Sequence, residues 1–337
     1  MSIKGQAIWG FGAVAALAAV PLFLTQPYYL HTVIMILFYA FLASSWNIVG
    51  GFAGQLSLGH SAYAAIGGYT STLLFIHTGL TPWVGMLVGG LIAAIIAVLV
   101  GMPTFRLRGA YYALATVAFA EGFRVILEST KHVGKWDTGG AEGLMVPLKG
   151  NMPSLMQFMG KAPYYYVILG MLVLVVLVSW YIDRSKLGYY LTALREDEEA
   201  AQALGSNTAI AKLQAAAISA FFTALGGTFY AQLVRFLEPP AIAGADLSSQ
   251  MVLLAIVGGR GTVLGPVLGG VLLTTLGELT RAKLGGSLLG IHLILYGIGV
   301  MVAILYKPQG LIDPLMAGVR KLARVVNRSR AAAETGR

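Results

Sequence analysis

Between Gly5 and Phe105 the chain runs for 101 residues without a single Asp, Glu, Lys or Arg. No water-soluble domain can keep so long a stretch free of charge, because its surface must be hydrated. A spanning helix needs about 20 apolar residues, so this stretch alone holds up to four crossings. The whole chain agrees, with 57% hydrophobic and 11% charged residues, against roughly 25% charge in soluble proteins. The expected fold class is an all-α integral membrane protein. It would be a bundle of about 8–10 transmembrane helices with broken or re-entrant segments and a polar helix on its cytoplasmic side.

Apolar runs fall at 7–25, 30–49, 53–76, 82–101, 110–128, 164–182, 213–235, 246–258, 262–279 and 288–306. The first follows a lone Lys4 and reads as an uncleaved first span, with a signal peptide as the alternative. The eighth is short for a crossing, and the third is punctuated by Gly54, Gly59, Gly67 and Gly68. Both are expected to be broken or re-entrant, which backbone tolerates only inside protein or beside a water-filled cavity. With ten crossings and a cytoplasmic N-terminus, 15 of the 23 Lys and Arg residues lie inside and six outside. That is the expected positive-inside bias. It places 183–211 in the cytoplasm and 129–163 outside, within a single transmembrane domain, 1–306. A basic cytoplasmic tail, 307–337, would carry an interfacial helix through Leu315, Val319, Leu322 and Val326 on membrane lipid.

Cysteine is absent, which excludes disulfides and thiolate metal sites. The five histidines show no metal-binding spacing, so no metal and no cofactor are expected. Nor is nucleic acid an expected partner. No G-x-x-x-x-G-K-[ST] phosphate loop occurs, so ATP, if used, would be bound by another polypeptide.

The polar interruption "REDEEAAQALGSNTAIAK", residues 195–212, needs a reason. Acids at 196–199 favour a helix N-terminus, alanines propagate the helix, and Gly205 with Asn207 stops it. A preformed helix with a small-residue face suits docking on another protein better than a solvated linker does. A helix resting on its own bundle is the alternative.

"EAAQALG", Glu199 to Gly205, matches the E-A-A-x-x-x-G core of the cytoplasmic loop in ABC importer permeases, though the motif's hydrophobic-x-Leu-Pro ending is missing. The longer "LTALREDEEAAQALGSNTAIAKLQAAAISAFFTALGGTFYA" resembles the branched-chain amino-acid permeases of the Liv type, LivM-like branch. So do "WNIVGGFAGQLSLGHSAYAAIGGYT", "PTFRLRGAYYALATVAFAEGFRVIL", "TGGAEGL", "VGGRGTVLGPVLGG" and "LYKPQGL", in order, across residues 40 to 312. The resemblance implies import of leucine, isoleucine or valine across a bacterial cytoplasmic (inner) membrane. It implies a second Liv-type permease subunit in a heterodimer, two cytoplasmic ABC ATPase subunits and an extracytoplasmic solute-binding protein. Arg195, Glu196, Glu199, Ala200, Ala201, Leu204 and Gly205 would couple the permease to an ATPase groove. Relatives carrying urea, short amides or aromatic acids leave the substrate open.

Polar residues within membrane segments face the protein interior, often along a path. Gln55, Ser57, His60, Ser61 and Tyr63 are therefore substrate-path candidates, with helix–helix hydrogen bonding as the alternative. Glu121 and Arg124 are a second pair of candidates. With Glu128 they share one helix face, where self-neutralisation is the plainer role. Arg260, between glycines, is a candidate for the cytoplasmic mouth. An ion-coupled transporter would need titratable groups deep in the bundle, and only Glu278 and Glu121 qualify. No nucleophile–base constellation for an enzyme is present.

Overall fold

The computed structural model describes residues 3–24, 26–284, 297, 298, 301, 302, 305, 310 and 311. The expected tail helix and most of the tenth apolar run lie outside them. The chain is an integral membrane protein built almost wholly of α-helix. Among the described residues six helical segments are long and apolar enough to cross a bilayer. The helices are α1 (Ile3–Phe23), α2 (Pro27–Asn47), α3 (His60–Thr78), α4 (Pro82–Thr104), α5 (Ala110–Ser129) and α6 (Lys161–Arg184). After them come α7 (Lys186–Glu196), α8 (Glu198–Ala203), α9 (Thr208–Val234), α10 (Pro239–Ala243), α11 (Ala245–Gly259) and α12 (Gly265–Leu284).

The local chemistry explains where helices start and stop. Pro27 and Pro82 sit in first turns, where a missing N–H costs nothing. Thr81 caps α4, and Gly79 ends α3 in the left-handed region at φ +71°. The third apolar run departs from expectation. Its break lies at 53–59, after α2 widens into a π-helical turn at Ile48–Phe52. Gly67 and Gly68 do not interrupt α3. A Cβ on Gly67 would run into the backbone of Ala224 in α9, and one on Gly227 into the backbone of Ala64 in α3. These glycines exist so that two helices can touch backbone to backbone, as small residues do in membrane bundles. The eighth run, 246–258, is not itself broken: it lies wholly within α11, and the break falls just before it, at Gly244, whose ψ of 152° leaves the helical region between α10 and α11.

Helix α9 is the central post. Its buried Phe222, Leu225 and Phe229 join Phe38 and Phe41 of α2 and Ile168 and Leu172 of α6 in one core. Its Ala216, Ala220 and Ala224 meet Ala93 and Ala97 of α4. At one end of the bundle lies the segment 130–160, with a two-residue ladder β1–β2 (His132–Val133 with Trp136–Asp137). A second ladder, β3–β4 (Leu144–Met145 with Phe236–Leu237), ties that segment to the end of α9. The opposite end carries α7 and α8. The 24 residues of α6 separate the two ends, about 36 Å at 1.5 Å per residue.

This separation makes sidedness testable, since the chain has no cysteine of its own. Single cysteines at the exposed positions Ser154 and Ala203 are expected to react with an impermeant maleimide from opposite faces of sealed vesicles, Ala203→Cys from the cytoplasmic face. Labelling of both from one face would overturn the arrangement.

Candidate functional site

The polar segment expected to form one helix makes two. Asp197 adopts an extended backbone and belongs to both ends at once: it closes α7, and its Oδ1 accepts from the N–H groups of Glu199 at 2.9 Å and Ala200 at 3.0 Å, opening α8. Such a cap stabilises a helix start by roughly 0.5–2 kcal/mol. Glu196 therefore ends a helix, and only Glu198 and Glu199 occupy a first turn. The far end of α8 is a Schellman closure. Ser206 N–H donates to the Ala201 carbonyl at 3.1 Å, Gly205 N–H donates to that of Gln202 at 2.9 Å, and Gly205 has φ +84° as its position requires.

The face that α8 turns outward differs from expectation. Ala201 is 5% exposed and packs inward, while Leu204 is 87% exposed. Ala200 and Ala203 flank Leu204 on the solvent side. Ala201 is thus the small residue that lets α8 lie close to its own bundle; the outward surface is Ala200, Ala203 and Leu204.

Charged side chains fasten this corner to the bundle. Lys212 of α9 reaches Glu198 with N···O distances of 2.6 and 2.7 Å. Arg108, in the α4–α5 turn, donates to Glu199 at 2.6 Å. That bond, with the carboxylate charge behind it, raises the Arg108 pKa above its ordinary value. Both partners are exposed, so the pair contributes little and weakens with salt. Arg195 donates to the Gly51 carbonyl at 3.4 Å and meets Glu196 at 3.2 Å. The Arg195 side chain lies against Gly54 and Gly261, both at positive φ, where a Cβ would collide with it. Asn47 completes the junction, donating to the Thr262 carbonyl and accepting from Gly261 N–H, each at 2.9 Å. The π-turn, the 53–59 segment, the α11–α12 turn and the α7–α8 corner thus converge. Beside this junction a cleft of about 250 Å³ opens between the 53–59 segment, the α4–α5 turn and the α7–α8 corner, lined by Gln55, Leu107, Arg108, Gly109, Asp197, Glu198 and Glu199. Arg260 is exposed at this same end.

The substrate-path candidates divide. Gln55 borders the cleft. Ser57, His60, Ser61 and Tyr63 are buried deeper and paired within the bundle. The two ring nitrogens of His60 meet Ser57 Oγ at 3.1 Å and Ser219 Oγ of α9 at 2.8 Å, and Ser219 donates to the Ser45 carbonyl at 2.7 Å. Ser61 accepts from Ser248 of α11 at 2.9 Å and donates to the Ala243 carbonyl at 3.0 Å. Tyr63 stands edge-on to His60, 5.5 Å between ring centres. In this conformation these four lock the start of α3 against α9 and the α10–α11 break.

On α5, Arg124 donates to Glu121 at 2.8 Å and also to Glu128, so each acid is paired, while one cation against two carboxylates leaves the triad a net negative charge. Glu121 has a further duty, accepting from Ala245 N–H at 3.3 Å at the first residue of α11. Apart from these contacts α5 is thinly covered, with Tyr111, Leu114, Ala118, Gly122 and Val125 in an outward row. Glu278 pairs with Arg281 at 3.7 Å. Among the described residues no group of three or more His, Asp or Glu could hold a metal ion.

Comparison with known proteins bears on this arrangement. A family model described as branched-chain amino acid transport system, permease component, matches residues 28–305. The chain is 32% identical over 302 residues to the high-affinity branched-chain amino acid transport system permease protein LivM of Salmonella typhimurium, covering 82% of this chain and 68% of that one. It is 27% identical over 259 residues to the nucleoside ABC transporter permease protein NupC of Lactococcus lactis, covering 71% and 76%. To the permease protein LivH of the Salmonella typhimurium branched-chain system it is 24% identical over 268 residues, covering 73% and 82%. No solved structure matches.

Proposed function

Because this chain belongs to the family of permease components of branched-chain amino acid transport systems, we propose that it forms part of the membrane path of an ABC importer. It carries leucine, isoleucine, valine or a close relative inward across the cytoplasmic membrane. The observation that carries this reading is α8, a short helix capped at both ends that presents Leu204 to solvent. A folded corner with an exposed leucine, fastened to several elements of the bundle, suits reception of force from a neighbouring protein.

The chain lacks a phosphate loop, so ATP is bound and hydrolysed on separate cytoplasmic subunits that dock on α8. Substrate arrives from an extracytoplasmic binding protein at the 130–160 end. A second, related permease packs beside this one. Two differently named permeases of one Salmonella typhimurium system, LivM and LivH, both resemble this chain, which supports a partner that is related and not identical. The thinly covered α5 supports the same conclusion. Its charged triad is costly against lipid, and a partner subunit or the path between the two would relieve that cost.

The permease performs no covalent step. Movement of the α7–α8 corner shifts the converging π-turn, the 53–59 segment and the α11–α12 turn, and access alternates between the two ends. Proteoliposomes holding the whole complex and its binding protein are expected to accumulate leucine only with ATP inside the ATPase compartment. Vesicles with this chain alone are expected to accumulate none, with or without a proton gradient. Accumulation by the chain alone would make it an ion-coupled carrier, and ATP-driven uptake of uridine without leucine would move the substrate class to nucleosides.

A further inference from the structure

We propose that Glu198 and Lys212 form a buried latch that makes α8 and α9 move as one body. Resting on the ABC importer reading, it explains how a push on the surface reaches the interior. The turn between the two helices, 204–207, contains Gly205 and Asn207 and would by itself bend and absorb a push. The latch spans it. Lys212 is 2% exposed, although it is a charged residue in the first two turns of α9, and Glu198 is 23% exposed. Both carboxylate oxygens face the ammonium. The remaining polar groups close around them: Gln202 Nε2 donates to Thr208 Oγ1 at 2.8 Å, and Thr208 Oγ1 stands 3.4 Å from Glu198 Oε1. The Phe105 ring lies 5.9 Å from the Lys212 ammonium, closing the apolar side.

Such a pair is stiff, because the enclosed Lys212 ammonium cannot part from the Glu198 carboxylate without being stranded. It differs from the exposed Arg108–Glu199 pair beside it, which solvent can replace. Seven residues beyond Lys212 on the same unbroken helix lies Ser219, which touches both His60 and the Ser45 carbonyl. A displacement of α8 is therefore delivered along α9 to the buried start of α3. Glu198 and Lys212 are positioning residues in this scheme, since neither meets substrate or nucleotide.

The test uses the complete importer with its ATPases and binding protein. The double variant Glu198→Gln/Lys212→Met removes both charges together and strands neither. It is expected to accumulate and to bind the ATPases like the wild type, to hydrolyse ATP, and to import at least 10-fold less leucine per ATP. A wild-type ratio of leucine to ATP in the double variant would overturn the latch while leaving the importer reading intact. A wild-type complex that imports no leucine when ATP and the binding protein are supplied would sink the importer reading itself. A second measurement does not depend on the variant folding as intended. Spin labels at Gln202→Cys, exposed on α8 but off its docking face, and Gln214→Cys on α9, in an otherwise wild-type chain of the complete importer, are expected to keep one narrow distance with and without ATP. A distance that shifts or splits on ATP binding would overturn the latch.

Discussion

Gly227→Val is expected to leave almost no folded permease in the membrane. The Cβ of any side chain at 227 would enter the carbonyl of Ala64, and the reciprocal contact places Gly67 against the carbonyl of Ala224. The obstructing atoms are backbone, which cannot rotate aside as a long side chain can. Overpacking typically costs about 1–3 kcal/mol, and a clash between two main chains belongs at or beyond the top of that range. Against a total stability of roughly 5–15 kcal/mol, and with α9 the post on which α2, α3, α4 and α6 lean, the bundle cannot spread locally. The yield of monodisperse protein in detergent and its melting temperature are the measurements. Gly122→Ala and Gly170→Ala, where nothing lies within 4 Å of the added carbon, are expected to behave like wild type. A Gly227→Val protein with the wild-type yield and melting point would mean that α3 and α9 are not in contact.

Leu204→Ala is expected to weaken binding of the ATPase subunits by roughly 10- to 100-fold while the permease itself stays folded. Leu204 is 87% exposed in the isolated chain. Burying a leucine in a partner's groove is worth about 1.5–3 kcal/mol, and each 1.4 kcal/mol is a factor of about ten. Gly205→Val should act in the same direction, since a β-branched residue at φ +84° is strained by roughly 1–2 kcal/mol and would unwind the closure that presents Leu204. Ala201→Trp should fail differently. That side chain points inward, so the variant would lift α8 off the bundle and lower the melting temperature as well. Titration of detergent-solubilised permease with purified ATPases, beside a melting curve for each variant, separates these cases. Undiminished affinity in Leu204→Ala would remove α8 as the docking element.

These two sites also mark what could be read without coordinates. The apolar helices were legible because a bilayer imposes length and apolarity on every segment: each apolar run except the last, which lies largely outside the described residues, overlaps a helix, and six helical segments among the described residues are long and apolar enough to cross. The stop at Gly205 was legible because helix closure is local chemistry. The direction of α8 was not. A six-residue helix between two caps has a phase set by Asp197, and the inward choice of Ala201 over Ala200 depends on what lies beneath it. Pairings across long separations were equally hidden: Asn47 meets Thr262 at a distance of 215 positions, and His60 meets Ser219 at 159. Lys212 looked like one more basic residue on the cytoplasmic side, since hydropathy does not distinguish a solvated lysine from one turned inward on a carboxylate. The glycines of α3 misled for a related reason. Composition records that glycine permits a break, whereas at 67 it permits contact with a helix distant in sequence.

That contact also has a consequence for energy conservation in the cell. A membrane holding 100 mV stores about 2.3 kcal/mol for every elementary charge kept on the proper side, and any continuous file of water through a transporter would discharge it. The hydrogen-bonded side chains of Ser57, His60 and Ser219 are the kind of chain from which such a file would start. Above it, however, α3 and α9 meet where even a methyl group does not fit, at Gly67 and again at Gly227. A water needs a cavity as well as polar partners, and at these two contacts the backbones leave no room for one. The glycine contact closes the α3–α9 seam, which is what a protein rich in buried hydroxyls needs there if it is to move a zwitterion without short-circuiting the membrane that houses it.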